Sequence, residues 1–253
     1  MKMLNWANRF NIFCFLDNQD YSIQPHQYEC LLAAGSFQSI TSGSLEELDH
    51  FLEKNEQWKF GHLSYELKNL IHNFRSGKND EIGFPPFFFF VPQFLLKIKG
   101  EELIIEGEEC EKVYDQILEQ EIPVSISHSV SIQQKLNKES YIQKIKQLQQ
   151  HIVRGDCYEI NFCQEFFAED AGIDPIATFK NLIAVSPNPF SALYKLDDRY
   201  LICASPERFI AKKANKIFSQ PMKGTSKRDI SNIEEDERLK INLKAKAIGS
   251  HRL

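Results

Sequence analysis

Residues 188–225, NPFSALYKLDDRYLICASPERFIAKKANKIFSQPMKGT, read as two consecutive β-hairpins. The first pairs 190–196 with 200–205 across the turn residues Asp197 and Asp198; the second pairs 208–213 with 216–221 across Ala214 and Asn215. If Lys213 faces Lys216, then Glu207 faces Met222 and lies one residue from facing Lys223, and the same count brings Phe190 opposite Ser205. The register therefore gathers three loops of unlike chemistry, Pro189-Phe190-Ser191, Ser205-Pro206-Glu207 and Met222-Lys223-Gly224-Thr225, at one edge of one sheet. That edge is the candidate active site.

The rest of the chain has enough material to bury such a sheet. Its 253 residues, 42% of them apolar, support a real core in one large domain or two small ones. The net charge of −5 comes from interspersed acids and bases with no basic stripe, so no nucleic-acid surface is expected. The first twenty residues hold a short apolar patch broken by Asn and Arg, with neither a long apolar core nor a small-residue cleavage site, and a cytosolic chain is expected. The longest apolar run, 84–96, is interrupted by Pro85, Pro86 and Pro92 and is too short to span a membrane. Cys14, Cys30, Cys110, Cys157, Cys163 and Cys203 form no C-x-x-C pair and have no histidine at metal-ligand spacing, so they read as small, reduced core residues.

From Asn11 to Gly107 short apolar strands alternate with turn clusters and one clear helix, an α+β pattern. Ser44 caps that helix, 45–54, with Glu47 completing a capping box. Residues 58–63 read as a strand, 67–74 as helical, and the run Phe87-Phe88-Phe89-Phe90-Val91 as a strand buried on both faces, which implies a covered sheet. A charged helix over 109–119 is followed by a Ser- and Gln-rich stretch, and we place a domain boundary near 125–134, separating an N-terminal α+β region (1–124) from a second region (135–253). Asn137 caps a helix over 138–153, on which Tyr141, Ile145, Leu148 and Ile152 form one buried stripe. Gly155 and Asp156 end it, and 158–167 alternates as a strand with Ile160, Phe162, Gln164 and Phe166 on one face. A buried amide must find partners, so Gln164 is either a satisfied core residue or part of a site wall. Pro175 opens a further helix to 185, and an acid-first helix runs from 233 to about 247.

These residues carry a resemblance. GDCYEINFCQEF (155–166), SPNPFSALY (186–194), SPERF (205–209) and QPMKGT (220–225) resemble, in order and spacing, the chorismate-utilising enzymes, the catalytic subunits of anthranilate synthase and aminodeoxychorismate synthase. LLAAGS (31–36), GHLSYELKN (61–69) and IGFPPFFFFVP (82–92) look like the N-terminal half of that family, so the likeness runs to about Leu243. It implies an anthranilate-synthase-like β-sandwich with outer helices, and a partial chorismate-binding catalytic domain over 135–253. Within the family a lysine before Gly-Thr marks the aminodeoxychorismate synthases, where anthranilate synthases carry alanine, and this chain has Lys223.

The implied reaction has Lys223 add to the chorismate ring and expel the 4-hydroxyl, after which ammonia from a glutamine amidotransferase subunit displaces the lysine. A lysine amine at an apolar site loses its proton cheaply because desolvation disfavours the cation. Glu207 would protonate the departing hydroxyl, a role suited to a carboxyl with a raised pKa. Gly224 would let the backbone approach a substrate carboxylate, and Thr225 would donate to it. Pro189, Phe190 and Ser191 match the segment that lines a regulatory tryptophan pocket in some members, although Ala34 stands where a serine is common on the other side. The plain alternative is a strand entry with a buried Phe.

The family continues well beyond the equivalent of Ala245, through the acidic motif and later glutamate that hold Mg²⁺, a site histidine and a glycine-rich closing segment. The tail KAKAIGSHRL (244–253) does not resemble that continuation. Two classes of function follow. One is an aminodeoxychorismate synthase component of folate synthesis, with anthranilate synthase as the in-class runner-up; the other is a non-catalytic remnant or binding module. Taken alone the chain is expected to be inactive and poorly stable, lacking Mg²⁺ ligands and sheet partners.

Overall fold

A computed structural model describes residues 1–54, 56–72, 80–121, 129–220 and 226–249. Turn clusters cut the first part into α1 (Lys2–Ala7), β1 (Ile12–Asp17), β2 (Cys30–Ala34), β3 (Gln38–Ile40), α2 (Leu45–Glu53), β4 (Phe60–Leu63), α3 (Leu67–His72), β5 (Phe87–Val91), β6 (Phe94–Lys99), β7 (Glu102–Glu106) and α4 (Cys110–Leu118). Next come β8 (Gln133–Gln134), α5 (Lys138–Arg154), β9 (Phe166–Phe167) and α6 (Pro175–Val185). The last part holds β10 (Phe190–Leu196), β11 (Arg199–Ser205), β12 (Arg208–Lys213), β13 (Lys216–Gln220) and α7 (Ile233–Gly249).

Antiparallel pairing builds a six-stranded sheet in the order β11-β10-β1-β2-β6-β7 and a three-stranded one, β3-β5-β4. Because side chains alternate across a strand, each strand of the larger sheet contributes to two layers. One layer, with Cys14, Ala33, Leu95, Tyr194 and Leu196, packs on Phe60, Phe88 and Phe90 of the smaller sheet. The other, with Phe13, Phe15, Leu32, Leu96 and Leu193, is buried as well. There Phe179 of α6 meets Phe15 edge to face at 5.8 Å, and Trp6 of α1 meets Phe94 at 5.5 Å. The fold is α+β, two antiparallel sheets face to face with helices outside the larger one.

Several local expectations hold for local reasons. Ser44 and Glu47 close the capping box of α2 reciprocally, at 3.2 and 2.7 Å. Asn137 accepts from the Ser140 N–H at 2.8 Å to start α5, and Gly155, at φ 88°, ends it in a conformation only glycine adopts without strain. Four of the five residues of β5 are buried, on both faces, as its aromatic run implies. Gly61 permits the close β4–β5 approach, since a Cβ there would lie 1.9 Å from the Phe88 carbonyl oxygen. His62, one residue on, accepts from the Tyr194 hydroxyl at Nδ1 (3.2 Å) and donates from Nε2 to the Pro85 carbonyl (3.1 Å), because that carbonyl can only accept.

Other expectations are corrected. Helix α1, read from sequence only as an apolar patch, buries Leu4, Trp6 and Ala7; six residues are too few to display a helical period. The strand expected over 158–167 shrinks to Phe166–Phe167, paired only with β8 among the described residues. Alternation favours a strand, yet a strand persists only where a neighbour takes its backbone hydrogen bonds. The α5 stripe is half-buried at Tyr141, Ile145 and Leu148 and exposed at Ile152, with Tyr141 packed on Phe162 at 5.2 Å. Gln164 is half satisfied: Nε2 donates to the Leu136 carbonyl at 2.8 Å, and the buried Oε1 has no partner among the described residues.

The chain divides into two compact units, Met1–Ile122 with Phe179–Leu253, and Pro123–Thr178. The pairing of β1 with β10 carries the six-stranded sheet across the composition change at 125–134. Among the described residues no helix is long and apolar enough to cross a membrane.

Candidate active site and adjoining cleft

The β10–β11 hairpin has the register its turn dictates: Leu196 faces Arg199 and Phe190 faces Ser205. Pro206, which has no N–H, follows directly and interrupts the ladder. The Ser205 hydroxyl bridges the gap, accepting from the Glu207 N–H and donating to the Glu207 carbonyl, each at 3.2 Å. The second hairpin is consequently a separate two-stranded ribbon and not a continuation of the first sheet, which corrects the expectation of one common edge.

Within the ribbon Lys213 faces Lys216 and Ala211 faces Phe218, as counted from the turn. Between Ala211 and Arg208 the register then shifts by one, and Arg208 faces Gln220 where uniform counting gives Pro221. Two residues, Phe209 and Ile210, thus oppose one, Ser219, the signature of a bulge, which re-aims the side chains beyond it. Glu207 lies just past this irregularity and is exposed. Lys223, Gly224 and Thr225 lie outside the described residues, as does the expected approach of Lys223 to Glu207. The described geometry brings the chain at Arg208 beside Gln220, three residues before Lys223.

Pro189, Phe190 and Ser191 do come together with other chemistry, in a cleft of about 310 Å³. Asp17, at the end of β1, pairs with Ser191 on one side and Cys30 on the other, which brings the turn Asn18-Gln19-Asp20 and the loop around His26 to the same place. Ser191 is buried and donates to the Asn188 carbonyl at 2.8 Å. Arg208 reaches the cleft from the ribbon. Its Nη2 donates to the Ile23 and Pro25 carbonyls, both at 3.0 Å, its guanidinium lies 5.0 Å over the Phe190 ring, and its buried Nη1 has no hydrogen-bond partner among the described residues.

Tyr28 and Trp58, edge to face at 6.2 Å, and Glu29 line the same cleft. The Glu29 carboxyl titrates below its ordinary value because the Gly100 N–H and His26 donate to it, at 2.9 and 3.2 Å. Behind the rings the buried Lys97 is ion-paired with Glu106 and lies 5.6 Å from the Tyr28 ring. The cleft is therefore lined by the Arg208 guanidinium, the Asp17 and Glu29 carboxylates and aromatic rings, a set that suits a small zwitterion.

Sequence reasoning missed Asp17, Tyr28 and Arg208 as cleft residues. The polar triple after Asp17 marks a turn, but its position beside Ser191 depends on β1 pairing with β10, across more than half the chain. Ala34, expected on the N-terminal side of the pocket, is fully buried opposite Phe13, at the other end of β2 from Cys30. Among the described residues no three or more His, Cys, Asp or Glu side chains gather as a metal site would need.

A profile of the family described as chorismate binding enzyme matches residues 12–247. Aminodeoxychorismate synthase component 1 of Bacillus subtilis is 26% identical over 211 residues, covering 76% of this chain and 44% of that protein. Its namesake from Klebsiella aerogenes is 37% identical over 101 residues, covering 40% of this chain and 22% of that protein. Among solved structures, anthranilate synthase component I from Streptococcus pneumoniae superposes with a TM-score of 0.70 at 20% identity, over 92% of this chain and 60% of that one. The chain thus spans less than half the length of these two curated relatives.

Proposed function

The chain belongs to the chorismate binding enzymes, and on that premise we propose that it is the chorismate-reacting component of an aminodeoxychorismate synthase, working in the cytosol with a glutamine amidotransferase subunit that supplies ammonia. The observation that carries this reading is a lysine, Lys223, in QPMKGT, three residues beyond Gln220, which pairs with Arg208 beside Glu207. In this reading the Lys223 amine attacks the ring as the 4-hydroxyl leaves, Glu207 supplies the proton that turns the leaving group into water, and ammonia releases the lysine. Gly224 and Thr225 hold the substrate carboxylate through backbone and hydroxyl donors. The family resemblance also implies Mg²⁺; among the described residues no three or more His, Cys, Asp or Glu side chains gather to hold such an ion.

The test is product identity. Chorismate, ammonium and Mg²⁺ are supplied to residues 1–253, and to a chimera in which the unmatched portion of the Bacillus subtilis relative is appended after Leu243. The expected outcome is no turnover by the chain alone and 4-amino-4-deoxychorismate from the chimera, lost in Lys223→Ala. Anthranilate as the main product would overturn the reading in favour of the in-class alternative.

The cleft favours a second reading, a ligand-binding module. Its guanidinium, carboxylates and aromatic walls support tryptophan as the occupant, against Pro189, Phe190 and Ser191. Calorimetric titration with L-tryptophan, on the wild type and on Arg208→Ala, checks it; no heat with the wild type at millimolar ligand removes it.

A further inference from the structure

A second cavity, of about 260 Å³, lies at the Pro92-Gln93 connection, where the chain passes from β5 in the smaller sheet to β6 in the larger. Its aromatic walls follow from register. Phe37 precedes β3 and donates its N–H to the Val91 carbonyl at 3.0 Å, and β4 pairs Phe60 with Phe90. Carried on by one and two residues, these pairings put Phe37 and Trp58 on either side of Pro92, and side chains opposed across strands share a face. All three line the cavity. Trp58 is held by Phe60, stacked at 6.0 Å, and by Tyr28, whereas Phe37 is 61% exposed. A side chain at Gly107 would meet the Phe94 ring at 2.7 Å, so the wall there is bare backbone. Among the described residues one charged side chain lines the cavity, Glu106, and no Lys, Arg or His does. The buried Lys97 takes its Oε1, and the Glu106 side chain remains 49% exposed. Glu106 belongs to the run 101–111, which carries six carboxylates and no base.

We propose that this cavity is a socket for an arginine side chain presented by a partner polypeptide. The guanidinium packs against the Phe37 and Trp58 rings and donates to Glu106 Oε2 and the Gln93 carboxamide oxygen, while its three-carbon stem lies on Pro92. Charge selects a cation, because an anion would meet Glu106 with no basic side chain in the lining to hold it. Size selects a side chain, because about 260 Å³ falls below the roughly 300 to 1,000 Å³ of small-molecule sites. Shape selects arginine over lysine, because a planar, weakly hydrated guanidinium stacks on aromatic rings where a compact ammonium keeps its water. The first cleft, with Arg208 in its lining, has the opposite preference for a carboxylate. The inference rests neither on which product is made nor on what that first cleft holds.

The experiment titrates the full chain with the blocked peptide acetyl-Gly-Pro-Arg-Pro-Gly-amide. Trp58 emission reports binding, since the other tryptophan, Trp6, is fully buried, and calorimetry gives the stoichiometry. Saturable 1:1 binding at millimolar peptide is expected, at least tenfold weaker when citrulline, the neutral isostere, replaces the arginine. Phe37→Ala should weaken binding at least fivefold with the melting transition unchanged, since that side chain is exposed. Glu106→Gln should weaken it as much; if loss of the Lys97 partner unfolds that variant, Phe37→Ala decides alone. Trp58 also lines the first cleft, so Arg208→Ala separates the two sites and should leave peptide affinity unchanged. No saturable binding, equal affinity for the citrulline peptide, or indifference to Phe37→Ala would each overturn the proposal. Loss of binding in Arg208→Ala would overturn it by placing the peptide in the first cleft. Agmatine bound at least tenfold more tightly than the peptide would overturn it too, in favour of a free small cation.

Discussion

Strand β1 and strand β12 are both six residues long, and both mix aromatic and aliphatic side chains with polar ones. In β1 Phe13 is fully buried and Phe15 nearly so, because the strand has a neighbour on each edge and a layer on each face. In β12 Phe209 is 86% exposed, because among the described residues the strand has one neighbour and Pro206 parts it from the sheet that precedes it. The difference lies in what surrounds the strands, not in their own residues. Apolar side chains stabilise only in proportion to the area that neighbours remove from water.

The sharpest way to break this contrast is to make one chemical change in both regions. Phe90→Ala, in the core between the sheets, should destabilise by about 3 to 5 kcal/mol, read by urea unfolding. Phe209→Ala should stay within about 0.5 kcal/mol in the same experiment. Equal losses would mean that the ribbon is covered in solution.

Between these limits lies the tether. Arg208 joins the ribbon to the packed part through two hydrogen bonds to the loop at Ile23 and Pro25. Arg208→Ala should cost about 1 to 3 kcal/mol and accelerate amide exchange in 208–220 while leaving β1 and β2 unchanged. Uniform acceleration through both regions would show that ribbon and sheet unfold as one.

A smaller effect tests the polar seam of the packed region. Tyr194→Phe removes the donor to His62 Nδ1 and should cost about 1 kcal/mol. Desolvation lowers the pKa of His62 from its ordinary value near 6.5, against the raising effect of its bond to Pro85. The unfolded chain therefore binds the proton more readily. This part of the stability is complete above about pH 6.5, falls as pH drops through that value, and levels off below the folded-state pKa. Unfolding free energies measured from about pH 7.5 down to 5 should show that slope, and His62→Gln should flatten it.

Local chemistry was legible wherever a few adjacent residues decide the outcome. The Ser44 capping box, the Asn137 cap, the Asp197-Asp198 turn with its Phe190–Ser205 register, and the doubly buried β5 all follow from contacts within a few positions or from composition alone. The four linked motifs similarly carried the family, because their order and spacing sit in one dimension. What failed was regularity extrapolated past its support. Uniform counting from Ala214-Asn215 missed the shift between Ala211 and Arg208, and alternation over 158–167 promised a strand that, among the described residues, found a partner only at its end.

The sequence by itself determined the α+β class, the caps and turns, and the residue types of the candidate chemistry, Glu207 and Lys223, since these depend on backbone preferences and side-chain identity. Only the tertiary structure decided that Asp17 lies beside Ser191, that Arg208 closes the cleft over Phe190, and that Ala34 is core. It decided equally that the two hairpins belong to different sheets. The physical reason is common to all four. Each depends on which distant strand takes a given edge, and a strand's alternating faces constrain that choice without specifying it, because the backbone hydrogen bonds that join any two edges are chemically alike.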